Sequence, residues 1–397
     1  MLFVDDEPRV LQGLQRQLRG MREEWDMHFM DSGPKALEFM AATPVQVIVT
    51  DMMMPGMDGA ELLAAVVARF PDTVRLVLSG HADREAVLRL VGPAHQYLSK
   101  PCNPDELRAA IQRSLSMRGL LSNERLKQVV SRIPCLPSLP SLHAELTAEL
   151  RSDDPSLERV SETISKDIGM ATKVLQIANS AFFGLSQPAA NVHEAVMYLG
   201  LTTIRALVLS VQVFSQFDSK AVREFSIDAL MQHCWRVSHF ARRIARIEHC
   251  EPKMDDQCFL AGLLHDLGHL VLAAGLPEDY ARVLELAAGN QVPLHEAEGA
   301  ELGATHAQVG AYLLGLWGLP APVVEAVALH HQPALATLRA LSPVSIVHVA
   351  DVLASAGERS LPERQAPQLD ANCLEEIGLT DRVEHWRELC LREPEFA

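Results

Sequence analysis

Val45-Gln46-Val47-Ile48-Val49-Thr50-Asp51-Met52-Met53-Met54-Pro55-Gly56 is a short β-branched run that ends on a carboxylate and then breaks into a turn. Such a run, apolar throughout and bounded by Pro-Gly, predicts a strand buried on both faces, with Asp51 delivered at its carboxyl end. Asp5-Asp6 follows a second apolar run, Leu2-Phe3-Val4, and Lys100-Pro101 follows a third, Gln96-Tyr97-Leu98-Ser99. Carboxylates gathered at strand ends concentrate negative charge that a bound divalent cation offsets, and Mg²⁺ suits such oxygen ligands. With the cation bridging the carboxylates to a phosphoryl group, Lys100 would pair with the developing charge and Ser79 would donate its hydroxyl to a phosphoryl oxygen. Asp51 therefore reads as a phosphoryl-accepting carboxylate.

Around this core the first 115 residues alternate strand and helix patterns. Strands are predicted at Leu2 to Val4, Met27 to Met30, Val45 to Thr50, Val74 to Ser79 and Gln96 to Leu98. Helical stretches fall near 10 to 18, 34 to 41, 59 to 69, 84 to 91 and from 104 onward. That rhythm predicts a doubly wound α/β fold with a five-stranded parallel, flavodoxin-like sheet. In such a sheet the carboxyl ends of the strands line one crevice, which places Asp5, Asp6, Asp51, Ser79 and Lys100 together.

In Asp5-Asp6, Asp51, Met53, Ser79, Tyr97 and Lys100-Pro101, residues 1 to about 118 resemble the receiver domain of two-component response regulators. The resemblance implies that Asp5, Asp6, Asp51 and the Met53 backbone carbonyl hold Mg²⁺, that Ser79 and Tyr97 form the switch pair, and that Lys100 touches the phosphoryl group. It also implies a cis peptide before Pro101 and a sensor histidine kinase as phosphodonor. The chain begins only four residues before Asp5, so its first strand is shorter than that family usually shows.

The site accounts for about a third of the chain. With 397 residues, two or three domains are expected, and 48% hydrophobic content allows each a core. A formal charge of -16 excludes broad nucleic-acid contact, which needs a basic surface. No window approaches 18 uninterrupted apolar residues, and the amino-terminal residues lack a secretory pattern, so no membrane is expected and the reading is cytoplasmic. Cysteines 102, 135, 234, 250, 258, 373 and 390 form no C-x-x-C pair and read as reduced structural thiols.

From Asp105 to about Ile133, Leu107, Ile111, Leu115, Leu120, Leu121, Leu126, Val129 and Val130 approximate a helical stripe, which predicts one helix running from the first domain into a linker. Such a helix suits either a homodimer contact or packing on its own chain, and Arg118-Gly119 with an imperfect heptad weighs against a sustained coiled coil. Ile133-Pro134-Cys135-Leu136-Pro137-Ser138-Leu139-Pro140 marks a boundary. Beyond it, periodic segments to Ala356 are helical, with breaks at Gly184, Gly200, Gly275 and Pro320, and predict an all-α bundle.

Within that half, Ser165-Lys166-Asp167-Ile168-Gly169-Met170, Leu175 to Gly184 and Glu194 to Leu201 resemble the HDOD domain, from Pro134 to roughly Asp351. The resemblance implies an all-helical signalling output related to HD-type metal phosphohydrolases, most members of which bind partners. His233, His265-Asp266, His306, His330-His331 and Asp351 form a series of potential ligands spread over the bundle. By position His233, His265, Asp266 and Asp351 match the HD quartet, and His306, His330 and His331 match further ligands of HD-GYP cyclic di-GMP phosphodiesterases. Iron, manganese or zinc would be the cations, able to polarise a phosphate ester and to lower the pKa of a bridging water. The chain departs from that pattern at His269, where hydrolytic relatives have lysine, at Ala229, where a glutamate ligand could sit, and in having no Gly-Tyr-Pro after His330-His331.

His239, His193, His249, His295 and His348 read as packing or exposed residues, and Asn179-Ser180 as turn chemistry. A polar stretch through Pro367 leads to a short amphipathic tail helix at Val383 to Leu391. The expected organisation is a receiver at 1–118, a linker at 119–133, an HDOD domain at 134–356 and a tail at 357–397. The expected output is contact with a downstream signalling protein, and the alternative is a receiver-gated metal-dependent phosphohydrolase.

Overall fold

Strand β3 (Val47–Asp51) is buried at every position and pairs with parallel neighbours on both sides. The sheet runs β2-β1-β3-β4-β5, with β1 at Leu2–Val4, β2 at His28–Met30, β4 at Val74–Ser79 and β5 at Gln96–Ser99. All pairs are parallel, so both faces must be covered. Alternate residues do this in two layers. Phe3, Val47, Val49, Leu76 and Leu98 pack with Leu14, Leu107 and Ile111, while Leu2, Val4, Ile48, Val77 and Tyr97 pack with Leu37, Leu62, Leu63 and Val66.

The computed structural model describes residues 1–79, 93–100, 102–117, 119–121, 123–133, 136, 140–152, 154–179, 189–209, 226–336, 340–356 and 367–391. The helix expected at 84 to 91, Pro101 and the segment Ser180 to Gly184 lie outside the described residues, as does the side chain of Ser79.

The helix expected from Asp105 to Ile133 is two helices, Pro104–Met117 and Glu124–Arg132. Asn123 is the reason: its side chain accepts from Arg125 N at 3.0 Å and Leu126 N at 3.3 Å, which starts a new helix, and its amide donates to Leu302 O at 2.9 Å. Both helices pack intramolecularly, since Leu107, Ile111, Leu126 and Val130 belong to one apolar core continuous with the carboxyl-terminal bundle.

Every described element of that bundle is a helix, and its central helix, Ile227–Ile247, packs on Pro252–Leu264 and Pro343–Ser355. The run Pro252–Gly275 is apolar and long enough to cross a membrane by composition alone, but 89% of its window is buried inside the bundle and it is two helices meeting at His265-Asp266. Gly200 has φ +73 within Val192–Leu209, a kink where a break was expected. The tail helix Val383–Leu391 docks through Trp386, whose indole donates to Glu248 Oε1 at 2.8 Å. The free cysteines include Cys234 and Cys258, both buried.

Candidate functional site

At the carboxyl edge of the sheet, Asp51 ends β3 and pairs in register with Leu78, one residue before Ser79. Asp5, Asp6 and Asp51 each offer a carboxylate oxygen within 4.8 Å of the others. Lys100 follows β5 and reaches both sides of the cluster, donating to Asp5 Oδ2 at 2.7 Å and lying 2.5 Å from Asp51 Oδ1. Burial raises the pKa of Asp51 and Lys100 counters it. Burial likewise opposes the charge on Lys100, but its hydrogen bonds to Asp5 and Asp51 outweigh this and raise its pKa. Tyr97 is buried against the neighbouring apolar layer, with its phenol held protonated by desolvation. Met53 sits two residues past Asp51 with its side chain exposed.

The second constellation assembles at helix ends. His233 lies on Ile227–Ile247, His265 caps the carboxyl end of Pro252–Leu264, and Asp266 is the N-cap of Leu267–Gly275. His306 opens His306–Leu316, His330 caps the end of Ala321–Leu329, and Asp351 comes from Pro343–Ser355. Two glycines let these helices approach. A Cβ on Gly262 would lie 2.7 Å from Ser238 Cα, and one on Gly268 would lie 1.9 Å from His306 O. Only glycine admits backbones at such distances.

Asp266 is the hub. Its Oδ1 lies 3.2 Å from His306 Nε2, 3.5 Å from His265 Nε2, 3.6 Å from His269 Nε2 and 3.8 Å from His330 Nε2, and its Oδ2 lies 3.9 Å from His233 Nε2. His233 Nε2 is also 3.1 Å from Asp351 Oδ1. Two donor sets follow: His233, His265 and Asp351 on one side, and Asp266, His306, His330 and His331 on the other. Ligands bound at about 2.0–2.1 Å to one cation stand about 3–3.5 Å apart, near the spacings seen here.

Ring orientation points the same way. His265 Nδ1 donates to Gly262 O at 2.7 Å and His330 Nδ1 donates to Val327 O at 2.8 Å, which leaves each Nε2 as a lone pair facing the centre. Among the described residues, those two buried Nε2 atoms have no hydrogen-bond partner. A cation would satisfy both, so the donor set fits a metal. Burial, with His265 and His306 nearby, pushes His330 down to about 3, and burial holds His265 below its usual value.

Behind His306 stands Glu298, which sequence reasoning missed. It is fully buried and accepts from both His306 N and His306 Nδ1 at 2.7 Å, and its Oε1 lies 3.2 Å from His269 Nδ1. Tyr280 completes this layer, its hydroxyl 2.5 Å from His269 Nδ1. Burial opposes the charge on Glu298, but His306 and His269 drive its pKa below the usual carboxylate range. Cys234, expected to be structural, also lies within donor range of His265 and Asp266.

Of the histidines expected to be packing or exposed residues, two touch the candidate site. His239 Nδ1 lies 2.9 Å from Trp235 O and its ring packs on Phe259. His348 bonds His330 O through Nδ1 at 2.7 Å and accepts from Asp370 N through Nε2 at 2.9 Å, so it braces a site residue. His295 stacks on His331 with ring centroids 4.3 Å apart. Asn179 clamps Ala189, accepting from its N at 2.6 Å and donating to its O at 3.2 Å.

Comparisons with known proteins match two separate stretches of the chain. The response regulator receiver domain family matches residues 1–112, and the HDOD domain family matches residues 136–333. An uncharacterised protein of Treponema pallidum is 29% identical over 206 residues, covering 51% of this chain and 39% of the relative. The hydrogenase transcriptional regulatory protein HoxA of Cupriavidus necator is 37% identical over 122 residues, covering 30% of this chain and 25% of the relative. The chain thus spans well under half the length of either relative. Among solved structures, the MmoQ response regulator of Methylococcus capsulatus aligns with TM-score 0.50 and 24% identity, over 65% of this chain and 98% of that one, a likeness of fold. The chain belongs to the response regulators that join an amino-terminal receiver domain to a carboxyl-terminal HDOD domain.

Proposed function

We propose that this receiver is phosphorylated on Asp51 by a sensor histidine kinase in the cytoplasm, and that the HDOD domain passes the signal to a downstream protein by contact. The observation that carries the reading is Lys100 bridging Asp5 and Asp51, at 2.7 and 2.5 Å, beside a third carboxylate. In it, Asp5, Asp6, Asp51 and the Met53 carbonyl hold Mg²⁺, Lys100 pairs with the phosphoryl group, and Ser79 with Tyr97 forms the switch. The domains are a receiver at 1–118, a linker at 119–133, the HDOD domain at 134–356 and a tail at 357–397. Incubation with a radiolabelled phosphodonor should label the chain and leave Asp51→Asn unlabelled; retained label in that variant sinks the assignment.

A second reading, metal-dependent phosphohydrolase, is favoured by the convergence of His233, His265, Asp266, His306, His330, His331 and Asp351 around two donor sets that share Asp266's neighbourhood. Iron, manganese or zinc bound there would supply positive charge to a phosphate ester and a water of lowered pKa. The chain's own residues fix the arrangement: Asp266 faces both sets, Glu298 orients His306, and His331 lies on the less buried side. Near-stoichiometric metal in protein purified without chelator, lost in Asp266→Ala, supports the reading, and metal-free folded protein removes it. Turnover of cyclic di-GMP by the loaded protein then tests that one substrate, which the missing Gly-Tyr-Pro disfavours.

A further inference from the structure

One helix touches both domains' chemistry. His306–Leu316 begins with His306, whose Nε2 is 3.2 Å from Asp266, and ends with Leu316, whose carbonyl accepts from Gln96 Nε2 of the receiver at 3.0 Å. The last carbonyls of a helix have no partner within it, so Gln96 acts as a cap supplied by another domain. The approach is close: Gly318, at φ +75, follows the helix, and a Cβ there would stand 3.1 Å from Gln96 Cδ.

Gln96 is the first residue of β5, and Lys100, which contacts Asp51, follows the last. The strand spans about 13 Å and the helix about 16 Å at standard rises per residue. These are two stiff elements in series, and close-packed surroundings keep a shift in either from being absorbed locally. Apolar packing makes the joint continuous, since Leu107 and Ile111 of the receiver share a core with Leu313 and Leu316.

A further lock lies beside it. Arg75 of β4 is buried and donates to Pro93 O at 2.6 Å, to Thr73 O at 3.1 Å and to Ser131 O of the linker helix at 2.6 Å, with His95 Nε2 at 2.7 Å. His95 O accepts from Gln176 Nε2 of the HDOD domain at 3.2 Å. The base of β4 and β5 is thus fastened to linker and bundle by charge-assisted and neutral hydrogen bonds.

We propose that helix His306–Leu316 couples the state of Asp51 to the metal affinity of the histidine centre. A phosphoryl group on Asp51 changes the partner of Lys100, β5 moves with Lys100, and Gln96 carries the displacement to Leu316 and so to the aim of His306 at Asp266. The coupling rests on the centre binding metal. Linkage makes it reciprocal: whatever factor phosphorylation applies to metal affinity, metal applies to affinity for the phosphoryl mimic.

The test is a Co²⁺ titration of the full chain, read by its visible absorption, with and without beryllofluoride as phosphoryl mimic. Excess Mg²⁺ keeps the acidic receiver site filled, and imidazole ligands favour Co²⁺ over Mg²⁺ at the other. The expected result is a Co²⁺ Kd that changes by about fivefold or more on adding beryllofluoride, within the usual range for coupled sites. In Gln96→Ala, which touches neither site, that change should fall below about twofold while Co²⁺ still binds. Equal Kd values in the two receiver states overturn the coupling and leave the metal reading standing. A change undiminished in Gln96→Ala overturns the helix as its route, and failure to bind Co²⁺ in either state overturns coupling and metal reading together. The wild-type comparison decides the coupling even where Gln96→Ala unfolds.

Discussion

The receiver site and the histidine centre both gather carboxylates at the ends of secondary-structure elements, and they neutralise them differently. In the receiver the counter-charge is part of the chain, with Lys100 held between Asp5 and Asp51. In the bundle, Asp266 and Asp351 are surrounded by imidazoles, and His265 and His330 aim bare nitrogen lone pairs inward from buried positions. A lysine can be re-paired when a phosphoryl group arrives, so the first site suits an event that comes and goes. A cation would satisfy lone pairs that cannot satisfy one another, so the second site suits an ion that stays in place.

Each site also leans on a glycine pressed against a site residue's carbonyl, and this supplies the largest effects. A Cβ on Gly268 would stand 1.9 Å from His306 O, and one on Gly59 would stand 2.3 Å from Asp51 O. Backbone atoms cannot rotate away, so Gly268→Ala should cost about 3 kcal/mol of stability by forcing two helices apart. Chemical denaturation of that variant should show the loss, and metal uptake should fall while labelling of Asp51 persists. Gly59→Ala should do the reverse, impairing labelling and sparing metal. A Gly268→Ala variant as stable as the parent, with full metal content, would erase the claim that close approach builds the centre.

Next in size is Glu298→Gln. The carboxylate accepts twice from His306 and stands 3.2 Å from His269 Nδ1, so it sets the ring that faces Asp266. An amide of the same size keeps the packing but loses the charge and one acceptor. Above about pH 9, where His306 has lost its proton in parent and variant alike, metal affinity should drop about 10–100-fold with the fold retained, the usual cost of losing an outer partner. Calorimetric titration of parent and variant checks it, and equal affinities would demote Glu298 to a packing residue.

Most of the receiver was legible because its signals are local: most strands are apolar runs, and Asp5, Asp6, Asp51 and Lys100 lie at or just past the end of one. The sheet and Asp5, Asp6, Asp51 and Lys100 fall where that reading put them. The candidate histidine donors were legible only as a series, since His233 and Asp351 are joined by a 3.1 Å contact that no spacing announces. Glu298 left no signal, because a buried acid on a short helix looks like a solvated one until its partners are known. The single helix expected from Asp105 to Ile133 failed at Asn123, whose side chain caps a new helix inside the apolar pattern. Gln96 was read only as the start of a strand, and its link to Leu316, a residue 220 positions away, is purely tertiary.

The last comparison separates the sites by proton. Burial opposes the charge on His306, but Glu298 and Asp266 more than offset it and raise its pKa to about 9. In the metal-free protein that pairing stabilises the fold, fully below the unperturbed value of 6.5, and its contribution fades as pH rises through about 9. A cation at the centre needs the Nε2 lone pair, so binding must expel this proton. Metal affinity should therefore rise about tenfold per pH unit through neutrality and level off above His306's pKa, while the metal-free protein loses stability over the same span. The receiver's ligands are oxygens, with no imidazole proton in the way, so Mg²⁺ binding there should lack this slope. Paired titrations of the two metals from about pH 6.5 to about pH 9 read both trends. A flat Co²⁺ profile would mean that His306 is either neutral in the metal-free protein or outside the coordination sphere, and Glu298→Gln, which lowers the same pKa, would then leave the profile unchanged.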